Sequence, residues 1–252
     1  MSKIHFEREW LKELLPEGWA YDKPLLISGP GGSGKPLIGN FFAQEWLKKG
    51  GNVIFMTAST SIATHVKIMN QLGCNIEEHE SKGKVFYIEL EPEIEEVEEI
   101  SEKAVKANYV KPEIWHYSLD LASRRLFTDI DLGTLVVSAS LNLLFFSKTY
   151  GEKMYKKLKR IVKGEDTKYK YALTLNSDAF KEWAKDLEEE AFNLMVSGMT
   201  KDVKLTLKIL KMDQVDYKRE EVIVPLTEEI ILEIKKEAES GRSNVIPAIR
   251  KL

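Results

Sequence analysis

The segment PLLISGPGGSGKP, residues 24–36, decides the fold. Its first half is a short apolar run, the pattern of a strand buried on both faces. Its second half, Gly29-Pro30-Gly31-Gly32-Ser33-Gly34-Lys35-Pro36, fits G-x-x-x-x-G-K-[ST] at seven of eight positions. A helical pattern follows from Leu37, so the turn lies between strand and helix, where a phosphate-binding loop belongs. The glycines let backbone N–H groups converge on phosphate oxygens, the helix N-terminus adds positive potential, and Lys35 supplies a point charge. The eighth position departs. Pro36 stands where Ser or Thr would ligate Mg²⁺; proline suits a first helical turn but offers neither hydroxyl nor N–H.

Outward from this loop, short apolar runs alternate with helical periodicities. Phe6, Trp10, Leu11, Leu14 and Leu15 share a helical face that ends at Pro16-Glu17-Gly18. The spacing predicts helices over 37–49, 60–72, 119–126, 152–163 and 178–190, and strands over 52–57, 85–90, 135–138 and 171–175. Residues 93–106 read as an acidic helix that turns basic in its last turn, as the helix dipole favours. The alternation predicts an α/β fold with a mostly parallel sheet covered by helices on both faces. The tail differs. Residues 203–211 and 221–225 read as antiparallel strands joined by a turn near Asp213 to Lys218. A helix over 227–239 then leads into the small polar stretch Ser240 to Asn244. With no linker or repeat, one domain over 1–252 is expected, residues 203–252 forming an appendage of β-hairpin and helix.

Composition narrows the function classes. In 252 residues, 43% are hydrophobic and 31% charged, which excludes a disordered, collagen-like or disulfide-built chain. Lys+Arg is 37 against Asp+Glu 40, a net charge of -3, so no overall basic field favours nucleic acid. The single cysteine, Cys74, offers no disulfide and no thiolate cluster. Residues 135–146, the greasiest stretch, fall short of the roughly 20 needed to span a bilayer. No membrane insertion and a cytoplasmic location are expected. Dense Lys and Glu with little Gln point to a heat-loving source.

The landmarks LISGPGGSGK (26–35), VIFMTASTSIATHVKIMNQLG (53–73), LVVSASL (135–141), LTLN (173–176) and LKILKM (207–212) occur in order. In them the chain resembles the single-domain KaiC-like ATPases of the RecA superfamily and is similar to the archaellum ATP-binding subunit. The resemblance implies an archaeal origin and ATP or ADP held by Gly29, Gly31, Gly32, Ser33, Gly34 and Lys35, often between subunits of a ring. It also implies roles that this chain leaves unfilled. Family members carry one or two glutamates after the second strand to polarise the attacking water; here the segment is Ala58-Ser59-Thr60-Ser61. Their fourth strand ends in an aspartate that orients Mg²⁺, then a serine; here Ala139 (or Ser138, after a one-residue slip) precedes Ser140. Their later Lys-Met-Arg-Gly-like motif reaches a neighbour's nucleotide. Here it reads Lys211-Met212-Asp213-Gln214, so Lys211 is kept and Asp213 replaces the arginine.

The losses at Pro36, Ser59/Thr60 and Ala139 fall on metal and water chemistry, on which phosphoryl transfer depends. The reading is a non-hydrolysing, KaiC-like nucleotide- or anion-binding subunit with a regulatory or assembly role. ATP or ADP would be held without a protein-anchored Mg²⁺, and no catalytic or metal-ligating residue is assigned. Two readings stay open beside it. One is an active ATPase that draws metal and base from Glu89, Glu91, Asp129 or Asp131; the other is a nucleotide-free assembly protein. Further copies of the chain, or an unidentified protein, are the expected partners. Weaker signals read as structure: His79 in an acidic turn, Glu89 to Glu102 as a solvated face, Lys153 to Lys163 as an amphipathic helix, Trp115 to Tyr117 as packing and Cys74 as an inert thiol.

Overall fold

The apolar runs become the inner strands of one ten-stranded sheet. The computed structural model describes residues 2–128, 130–139 and 141–252, with Ala238 in its backbone only. The first elements are β1 (Lys3–Ile4), α1 (Glu9–Leu14), β2 (Trp19–Ala20), β3 (Leu25–Gly29), α2 (Lys35–Lys48), β4 (Asn52–Thr57) and α3 (Ile62–Gln71). Next come α4 (Ile76–Ser81), β5 (Val85–Leu90), β6 (Glu98–Ser101), β7 (Ala104–Ala107), α5 (Pro112–Arg125), β8 (Thr134–Ser138) and a 3-10 helix, Leu141–Phe146. The chain continues through α6 (Gly151–Val162), β9 (Lys170–Asn176), α7 (Lys181–Glu190), β10 (Asn193–Met199), β11 (Leu205–Lys211), β12 (Val222–Ile223) and α8 (Glu228–Ile249).

The sheet order is β12-β11-β10-β3-β9-β8-β4-β5-β7-β6. From β10 to β7 every neighbouring pair is parallel, while β11, β12 and β6 join antiparallel at the two edges. Strand alternation divides the apolar side chains between two cores. Val53 and Phe55 enter one, Ile54 and Met56 the other, so both faces of the sheet are covered. The α/β class, the mostly parallel sheet and the antiparallel C-terminal strands stand as expected.

Three local expectations do not stand. Residues 93–106 form no helix; their second half is the hairpin of β6 and β7. Ala104 and Val105 face opposite cores, and β7 pairs in parallel with β5, so burial outweighs the helix propensity of the glutamates. The acidic residues Glu98 and Glu99 lie on the exposed edge strand, where charge discourages further pairing. β10 falls where no strand was expected. It joins the phosphate-loop strand β3 to the antiparallel tail. Finally, α8 does not stop at Glu239; it runs through the polar stretch to Ile249.

The helix that follows the loop is held from below. Phe41, Phe42 and Trp46 of α2 are almost fully buried, with Trp46 5.0 Å from the Tyr21 ring and 5.9 Å from Trp19. Trp46 Nε1 also donates to the Gly133 carbonyl at 3.2 Å. Trp46→Ala should cost about 3–5 kcal/mol in urea unfolding followed by far-UV circular dichroism. A loss below about 1 kcal/mol would show that α2 is anchored elsewhere.

Candidate functional site

β3 is buried along its whole length and ends at Gly29, so the loop leaves from the middle of the sheet. It enters α2 through Gly34, whose φ of 66° is left-handed; a Cβ there would stand 3.0 Å from Leu205 Cδ1. Glycine is the residue that meets both demands. Pro36 occupies the first turn of α2, where its missing N–H disturbs no helical bond.

Lys35 is 6% exposed and folds back into the loop. Its Nζ donates to the Gly29 carbonyl at 2.9 Å, the Pro30 carbonyl at 2.5 Å and Ser33 Oγ at 3.0 Å. Burial, with the nearby Arg242 charge adding to it, brings the Lys35 ammonium down to about 8. Ser33 Oγ shares a hydrogen bond with Ser197 Oγ at 2.7 Å, and the Gly31 N–H donates to Asp178 Oδ2 at 3.2 Å. Above the loop lies a cavity of about 60 Å³ bordered by Lys35, Asn142, Asn176 and four residues of α8: Ile231, Ile234, Lys235 and Arg242. Lys35, Lys235 and Arg242 thus all border one small space.

A second cavity, about 40 Å³, adjoins it. Pro36, Ser59, Thr60 and Ala139 all line this space, together with His65 and Ile234. The three positions that break the phosphoryl-transfer pattern therefore meet in one place, and Ala139, not Ser138, faces it. Among the described residues no carboxylate lines either cavity, and no group of three His, Cys, Asp or Glu could hold a metal. His65 sits 4.3 Å from the Phe55 ring, and burial alone pulls it down to about 4. It stays neutral at pH 7.

Comparison with known proteins agrees with this geometry. The family model described as "ATPase: KaiC" matches residues 9–136, half of the chain. The chain belongs to the KaiC ATPase family. A KaiC-like protein from the hyperthermophilic archaeon Pyrococcus horikoshii superposes with a TM-score of 0.66 at 14% identity, over 90% of this chain and 96% of that one. The flagellar accessory protein FlaH from Methanocaldococcus jannaschii gives 0.62 at 18% identity, over 88% and 93%. At such identities the two structures speak for the fold. No curated protein matches.

Within this KaiC-family site, the structure gathers Gly31 to Lys35 around the cavity but does not bring Lys211 there. Lys211 pairs with Leu194, near the start of β10, and its Nζ donates to the Glu188 and Glu189 carbonyls at 2.9 and 2.7 Å. It caps α7. Glu89 accepts from the Ile62 N–H at 3.4 Å, Glu91 pairs with Lys106 at 3.6 Å, and Asp131 lies beside Lys49 and Lys84. None of these carboxylates borders either cavity; Asp129 and Ser140 lie outside the described residues. Cys74 is buried with its thiol pushed up to about 11, and Trp115 packs on Tyr109, as expected. Among the described residues, no helix is long and apolar enough to cross a membrane. Sequence reading missed Asp178, Ile234, Lys235 and Arg242. Only the 231/234 isoleucine spacing marks an apolar face, and nothing in it says that the face meets the loop.

Two titrations follow from these environments. Anion affinity should fall about tenfold per pH unit once the pH passes about 8, as Lys35 loses its proton. Isothermal titration with inorganic phosphate between pH 7 and 10 checks this, and a flat profile would separate Lys35 from binding. For His65 the folded value lies below the unfolded one of about 6.5, so the unfolded chain binds the extra proton between them. Stability is therefore lost as pH falls through that window. From pH 7 to pH 5 this group should remove about 2 kcal/mol, and His65→Phe should lose that much less. Parallel urea titrations at the two pH values give the comparison.

Proposed function

We propose that this chain is a non-hydrolysing member of the KaiC family, one whose phosphate loop binds nucleotide phosphate or a simple anion and which acts as a regulatory or assembly subunit. The observation that carries the reading is the cavity lined by Pro36, Ser59, Thr60 and Ala139, with no carboxylate among the described residues of its lining. Phosphoryl transfer needs Mg²⁺ to neutralise developing charge and a positioned group to orient the nucleophile. Neither need is met there. A hard divalent cation takes oxygen ligands, above all carboxylates, so this donor set does not suit Mg²⁺.

The loop suits phosphate better. Lys35, the glycine-rich turn and the α2 N-terminus supply positive charge, with Lys235 and Arg242 across the cavity. Lys35 would exchange neutral carbonyls for a charged oxygen. Asn142 and Asn176 border the same space, and their side-chain amides can donate to a bound oxyanion. Assembly with further copies belongs to this reading and should not depend on nucleotide, because Lys211 is already engaged and Asp213 opposes a neighbour's phosphate.

With Mg-ATP, the purified chain should release phosphate no faster than its Lys35→Ala variant in a colorimetric phosphate assay. Pro36→Thr alone should not restore turnover, since Ala139 and Ser59 remain. A Lys35-dependent rate would return the chain to the active ATPases. ATP affinity should also change by less than about tenfold, or about 1.4 kcal/mol, when Mg²⁺ is added. A larger gain would reveal a protein ligand to the metal.

A further inference from the structure

The two cavities beside the loop are small because one element closes them. Ligand pockets for small molecules usually measure about 300–1,000 Å³, whereas these hold about 60 and 40 Å³. The element responsible is α8. Ile234 borders both spaces at 7% exposure, and Ile231, at 3%, borders the first. The stem of Lys235 passes over the loop, its Cε 3.4 Å from where a Gly32 side chain would begin. Further along, a Cβ on Gly241 would stand 1.8 Å from the Ser59 carbonyl. The backbone of α8 therefore rests directly on the segment after β4.

We propose that α8 is a displaceable lid, lying where the loop would take a nucleotide, so that nucleotide binding and α8 docking exclude each other. This rests on the reading that the loop binds phosphate.

Three observations make the helix displaceable. First, its attachment is uneven: between Ile234 and Ile249 no described side chain is buried, and the partly buried Val245 and Ile246 pack on the second core beyond Ser243. Segments with few buried contacts open at low free energy. Second, α8 is locally weak. It carries Gly241 in its interior, and Pro247 removes one rung of its hydrogen-bond ladder. Third, the docked helix places Lys235 on the same cavity as Lys35, with no carboxylate among the described residues of its lining. Like charges oppose docking. Part of what favours docking lies outside the loop. Glu233 pairs with Lys67 and accepts from Gln71 Nε2 at 2.9 Å, and Ile249 is fully buried in the other core. With Ile249 anchored at one end and Val224 bonded to the Leu205 carbonyl at the other, the first half of the helix lifts by hinging at both the 225–227 and the 240–243 stretches. A ligand whose site is open in only a fraction of molecules binds with its affinity reduced by that fraction.

The test uses the full chain and a fluorescent ADP analogue without Mg²⁺, read beside hydrogen exchange of residues 228–242. In the parent chain, nucleotide at saturation should raise exchange across this segment. Gly241→Val, which cannot rest on Ser59, should bind at least about tenfold more tightly. Should that variant not fold, Ile231→Asp opens the same helix by removing an apolar anchor. Unchanged or lower exchange on binding, or equal affinity in parent and opened variant, overturns the lid while leaving phosphate binding intact. Absence of binding in every chain overturns both.

Discussion

The buried ammonium of Lys35 sets the terms for everything around it. An isolated charge taken out of water is costly by several kcal/mol unless it is answered by partners. Here the Gly29 and Pro30 carbonyls and Ser33 Oγ answer it, all from the loop itself. Asp178 answers one loop amide in turn, through Gly31. When closed, the loop and Asp178 answer the lysine and part of the loop backbone. An entering phosphate has to replace these bonds, and it does so with charge-assisted ones, roughly twice as strong as neutral bonds. Closure and binding are thus alternative ways of satisfying the same atoms.

The substitutions and the closing helix belong together. A cavity lined by a glutamate, an aspartate and a Mg²⁺ ligand could not accept the side chain of Ile234 without stranding charge in an apolar contact. With Pro36, Ala139 and Ser59 there instead, the isoleucine meets weakly polar or apolar neighbours, and His65 beside it is held neutral. A lining without a carboxylate among the described residues leaves a surface on which an apolar helix face can dock. The close approach of Gly241 to the Ser59 carbonyl has the same origin, since the backbone there is not screened by a long acidic side chain.

How far the sequence could be read depended on what each segment packs against. The loop and its flanking strand and helix were legible because glycine spacing and apolar runs act locally, and β4 and β5 came out at their observed limits, Asn52–Thr57 and Val85–Leu90. Residues 93–106 were misread because glutamates at helical spacing look alike on a helix and on an exposed edge strand; only pairing with β5 separates the two. β10 hid behind Ser197 and Gly198, residues with low strand propensity, although Ser197 faces the loop serine. The end of α8 was hidden by Gly241, which reads as a stop but serves a close contact. In the candidate site, residues of the loop motif were visible. Those supplied by α8 were not, since their role depends on a fold-back that no local pattern records.

The charge of the site has consequences of its own. In a working phosphoryl-transfer site, carboxylates bind Mg²⁺ and the metal offsets the negative charge of the phosphates, so that protein and ligand are linked through a cation. Here no carboxylate lines the cavities among the described residues, and the cations are side chains: Lys35 in the loop, with Lys235 and Arg242 on the helix above it. Their sum favours an anion directly, and two of the three leave the loop if the helix leaves. An anion small enough to sit under the docked helix meets all three, whereas a nucleotide large enough to displace it keeps Lys35 and forfeits the others. Charge therefore favours the small ligand in the closed state, while the bulk and added contacts of a nucleotide favour the open one. That opposition ties the identity of the ligand to the position of α8.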